Sequence, residues 1–67
     1  MTTFSDANQA RLSLKMKLSQ FGWYNSSTVV TNGGDYIVII GVKQLDNNIR
    51  KEIPPLVNGI DIKTELE

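Results

Sequence analysis

Tyr36-Ile37-Val38-Ile39-Ile40 sets five aromatic or β-branched side chains in succession, with no polar residue among them. A strand wetted on one face alternates polar with apolar residues, so an unbroken run is the pattern of a strand covered on both faces. The run is too short for a helix of ordinary length and far too short to cross a bilayer. Asn32-Gly33-Gly34 precedes it and Gly41 follows it, which marks it off as a strand between turn signals. It is expected to be the central strand, with the rest of the chain arranged around it.

The chain has 67 residues, which makes one domain, 1–67, and leaves no room for a second core. A domain of this size buries only about 60% of the surface of its unfolded chain. Its stability is therefore marginal without a supplement. The sequence contains no cysteine and no histidine, which removes disulfides and the usual zinc sites and fits a reducing compartment. Packing, self-association or a partner remain. Seven basic residues balance seven acidic ones, so no global field draws the chain to nucleic acid or to an anionic membrane. The opening Met-Thr-Thr-Phe-Ser-Asp has neither the basic start nor the apolar run of a secretory signal, and a cytoplasmic protein is expected.

From Phe4 to Phe21 the apolar residues Phe4, Ala7, Ala10, Leu14, Leu18 and Phe21 are spaced by threes and fours, which predicts a helix with one buried face. Ser5 or Asp6 is placed to cap it, with Gln9 in a capping-box position, and Gly22 to end it. Leu12 and Met16 point the other way and form a small apolar spot on the solvent side. A strand is expected from about Tyr24 to Thr31, and the Asn32-Gly33-Gly34-Asp35 turn pairs it antiparallel with the central strand through a loop of two or four residues. Gly41 suggests a bulge or a close backbone approach. Leu45, Ile49 and Ile53 repeat every four residues behind Asp46, which predicts a second helix of about two turns, stopped by Pro54. Pro55 keeps the chain extended. Ile60 to Leu66 alternates apolar with charged residues, as a half-buried edge strand does, with Ile60, Ile62 and Leu66 inward.

The predicted class is α+β: a two-layer αββαβ fold with a three-stranded sheet and both helices on one face. The second and third strands are joined by a crossover long enough to make them parallel. Two helices on one side leave the other face of the central strand bare. The bare face carries either Tyr36, Val38 and Ile40 or Ile37 and Ile39, and it is a candidate contact for a second sheet, unless Trp23, Tyr24 and the termini fold over it. The Leu12/Met16 spot is the other candidate.

Chemistry-bearing patterns are sparse. Without histidine or cysteine the common triads and thiol nucleophiles are excluded. Asp6, Asp35, Asp46, Glu52, Asp61, Glu65 and Glu67 are dispersed over turns and solvated faces, whereas paired-acid catalysis needs two carboxylates held in a cleft. Asp46-Asn47-Asn48 lacks the glycine and terminal acid of a calcium loop. The glycines match neither a dinucleotide fingerprint nor a P-loop, and no cofactor is expected. Asn25-Ser26-Ser27 fits a glycosylation sequon, which the lack of a secretory signal makes a chance match. The alternative to a protein-interaction role is single-stranded nucleic-acid binding by Trp23, Tyr24 and Tyr36 with Lys43 alongside, since aromatics on small sheets stack bases. Zero net charge and the lack of an RNP motif count against it.

The segment Tyr36-Ile37-Val38-Ile39-Ile40-Gly41-Val42-Lys43, followed by a polar connection, Ile53-Pro54 and Gly59-Ile60, resembles the small α/β domain ahead of some bacterial trypsin-like peptidases. The resemblance covers under half of the chain, and the connection is shorter here. It implies a non-catalytic accessory or inhibitory module and supplies no functional residue. The expected function is thus a small non-enzymatic protein-interaction domain that forms a homodimer or meets a protein partner, with no membrane contact.

Overall fold

The computed structural model describes residues 3–67. Helix α1 spans Phe4–Leu18, β1 Tyr24–Asn32, β2 Asp35–Val42, α2 Asn47–Glu52, β3 Leu56–Val57 and β4 Ile60–Leu66. The strands form one mixed sheet in the order β1-β2-β4-β3, with β1 antiparallel and β4 parallel to β2. β2 is therefore interior, as its apolar run requires. The α+β class holds, but the sheet has four strands where three were expected.

The additional strand comes from a second hairpin. Leu56 pairs with Asp61 and Val57 with Ile60 around Asn58-Gly59, both with positive φ, 50° and 80°. Asn-Gly is the dipeptide that a two-residue turn of this kind favours. At the first hairpin Asn32 pairs with Asp35, and the two turn residues are Gly33 and Gly34, with φ of 60° and 92°. The loop has two residues, which fixes the β1/β2 register.

The ends of α1 also differ from expectation. Thr3, rather than Ser5 or Asp6, is the N-cap, and its Oγ1 accepts from the Asp6 N–H at 3.1 Å. The helix closes at Ser19, whose N–H donates to the Lys15 carbonyl. Gly22 comes too late to cap, and Phe21 lies beyond the helix, stacked on Trp23 with ring centroids 4.9 Å apart. Asp46 caps α2 as predicted, accepting from the Ile49 N–H at 2.9 Å.

The core joins Ala7, Ala10, Leu14 and Leu18 of α1 to Val38, Ile40 and Val42 of β2, with Ile49 and Ile53 from the α2 region and Ile60 and Ile62 of β4. Both helices thus cover the even-numbered face of β2. Ala7 and Ala10, fully buried, put little side-chain bulk between helix and sheet. Leu66, expected inward, is exposed, although its neighbour Val42 on β2 is fully buried.

Candidate functional site

The pairing register decides which sequence-derived surface residues are available. Val38 and Ile40 are 0% exposed beneath α1, so neither can meet a partner while the domain is folded. Tyr36 lies on the same face, partly buried, with its ring edge-on to Phe4 at 5.8 Å between centroids. The bare face is the alternative one, carrying Ile37 and Ile39, with Val30 opposite Ile37 and Thr28 opposite Ile39 on β1, and Lys63 beside Ile39 on β4. Even there Ile37 is only 5% exposed and Val30 and Ile39 are half-buried. This face therefore offers little apolar surface.

At one corner of the bare face the chain end closes back on the sheet. The Glu67 N–H donates to the Val42 carbonyl at 2.8 Å. Its carboxylate Oε1 accepts from the Asn25 amide and from the Ser26 hydroxyl, the latter at 2.9 Å. A bulge at Asn25, between Tyr24 and Ser26, turns these donors onto Gly41, where a Cβ would collide with the Glu67 carboxylate and come within 2.6 Å of Ser26 Oγ. Gly41 therefore marks a close approach, and the bulge lies on the strand opposite.

Exposed apolar area is concentrated on α1. Phe4, Leu12 and Met16 are 56%, 41% and 82% exposed. With Asn8 they sit four residues apart and form one stripe along the helix. Lys17, on the opposite flank, donates to the Glu52 carbonyl at 3.3 Å and so faces α2. The stripe consequently runs from the flank turned away from α2, at Phe4, to the outer surface of the helix at Met16.

The four residues of the nucleic-acid alternative do not form one platform. Lys43 and Trp23 are adjacent, the Lys43 N–H donating to the Trp23 carbonyl at 2.8 Å. Tyr24 pairs with Val42, and its hydroxyl donates to Ser27 Oγ at 3.0 Å. Tyr36 is at the far end of β2, about 20 Å away for six residues of strand. Tyr24 and Tyr36 share the face that the helices cover, and one face of Trp23 is taken by Phe21. Stacking platforms need free ring faces in a row.

Among the described residues no three acidic side chains are grouped closely enough to hold a metal ion. An open cleft of about 360 Å³ lies between Arg50, Ile53, Pro55, Ile62 and Thr64; it contains one cation and no group able to act as nucleophile and base together. No helix among them is long and apolar enough to cross a membrane. Comparison with family models, curated proteins and solved structures found no match.

Proposed function

We propose that this chain is a small non-enzymatic protein-interaction domain that self-associates, with a cytoplasmic location. The observation that carries the reading is the stripe of Phe4, Leu12 and Met16. A domain this small gains from every apolar side chain it shelters, yet three large ones on its longest helix stay at least partly exposed, Phe4 with one edge against Tyr36. Scattered exposed apolar residues are ordinary on any surface; three in one row on a helix are the geometry of a helix contact. An accessory or inhibitory role, as the resemblance to the peptidase-associated domain implies, fits a module that acts by contact alone.

Light scattering over a micromolar to millimolar range tests this. The expected result is a mass that rises toward that of two chains, and a return to one chain when Leu12→Lys and Met16→Lys are combined. Both substitutions are at solvent-facing helix positions, so folding should be retained. A wild-type mass of one chain over the whole range would reject self-association.

A further inference from the structure

We infer that two copies of this chain join edge to edge through β1, about a two-fold axis at Val29, into one continuous eight-stranded sheet. The inference rests on the self-association proposed above and specifies its geometry.

The two edges of the sheet are built differently. On the other side the outermost strand is β3, only two residues long, and β4, expected at the edge, is exposed along it only beyond that pairing, where it carries Lys63 and Glu65; a short edge strand and charges are devices that stop an edge from pairing. β1, Tyr-Asn-Ser-Ser-Thr-Val-Val-Thr-Asn, has nine residues, no charge and no proline, and it pairs with β2 alone. Its free backbone groups follow from the hairpin. Asn32 and Asp35 flank a two-residue loop and so form a hydrogen-bonded pair, and the pairs then alternate along the ladder. Val30, Thr28 and Ser26 bond to β2, while Thr31, Val29 and Ser27 direct their N–H and C=O groups outward. No other backbone group among the described residues bonds to these three across that edge.

This pattern is self-complementary. Beyond the Asn25 bulge the regular part of β1 is residues 26–32, and Val29 is its midpoint. Antiparallel pairing about Val29 sets it opposite its own copy and Ser27 opposite Thr31, with about six hydrogen bonds in register. Thr28 then neighbours Val30 on the bare face. No charged residue lies within the paired span, so no like charges are buried by it.

The helix layer is compatible with this arrangement. α1 packs on β1 and β2 more than on β4, so across the two-fold axis its copy lies about two strand spacings away, roughly 10 Å, which is contact distance for helices. The flank that meets it begins at Phe4 and includes Asn8 and Leu12. Arg11 and Lys15 lie near this flank, and their repulsion across the axis weakens with salt, so the dimer should tighten as ionic strength rises. A paired span of seven residues, about 23 Å long, below a helix layer, about 20 Å in combined thickness, offers roughly 460 Å² per copy. Stable interfaces bury about 800 Å² per partner, which places this pairing among weak but specific ones.

The absence of native cysteine permits a direct test. Facing residues in a hydrogen-bonded antiparallel pair have Cα atoms about 5.5 Å apart, within disulfide range. Val29→Cys should therefore cross-link two chains under mild oxidation, and Lys63→Cys on the guarded edge should not. Thr31→Pro removes an outward N–H without breaking the β1/β2 ladder, and Thr28→Lys adds an edge charge; each should raise the dimer Kd at least about tenfold, with the circular dichroism of the monomer unchanged. A dimer unaffected by both, or cross-linked equally through position 63, overturns the inference and leaves self-association standing. A wild-type chain that stays monomeric overturns both.

Discussion

At the residue scale, Gly41 shows how one position ties the chain end to the sheet. Its missing side chain leaves the space in which the Glu67 carboxylate meets Asn25 and Ser26. Gly41→Ala must move both that carboxylate and the Ser26 hydroxyl. Glu67 is the far end of an exposed side chain and yields readily, so the expected cost is modest, about 1 kcal/mol. The local effect should be larger: the Glu67 N–H, now bonded to Val42, should exchange faster than in the native chain. Hydrogen exchange followed by NMR reads this directly, and unchanged protection there would show that the carboxylate contact does not hold the end of β4. Neither the Asn25 bulge nor the returning Glu67 has a sequence signature, because both depend on which strands lie side by side.

At the element scale, β2 separates two environments within one apolar run. Ile40 is sealed under α1, whereas Ile39 lies on the uncovered face between Thr28 and Lys63. Truncation at these neighbours should therefore diverge. Ile40→Ala removes atoms from a packed interior and should cost about 2–5 kcal/mol; Ile39→Ala, at a half-buried position, should cost less than half as much. Urea denaturation of the two variants checks this, and equal losses would mean that both faces are covered to the same degree. The unbroken run predicted cover on both faces. In the fold one face is covered by helices and the other is not, although Ile37 is buried there and Ile39 half-buried.

At the scale of the whole molecule, the question is how 67 residues remain folded without disulfides. The core is a single cluster between two helices and one face of the sheet, and domains of this size are marginal. If pairing of two copies supplements that core, stability must depend on concentration by mass action. The thermal midpoint should rise measurably as the protein is concentrated from micromolar to millimolar, and Thr31→Pro should remove the dependence while leaving the dilute midpoint nearly unchanged. A midpoint independent of concentration in the wild type would place all of the stability within one copy.

The elements themselves were legible in the residues: the three-and-four spacing of α1, the β2 run, Asp46 ahead of α2 and the alternation from Ile60 are local patterns that one segment carries alone. The β3 turn was legible too, since Asn58-Gly59 is the same kind of signal as the first hairpin, but Pro54-Pro55 just before it suggested a plain extended link. The face of β2 turned to the helices was not legible. Tyr36, Val38 and Ile40 are as apolar as Ile37 and Ile39, and only the tertiary pairing, with Asn32 opposite Asp35 and α1 laid across β1 and β2, broke that symmetry. Local sequence sets what each segment can form, because backbone propensity and side-chain period act over a few residues. Which surface is left for a partner is decided by contacts between segments far apart in the chain.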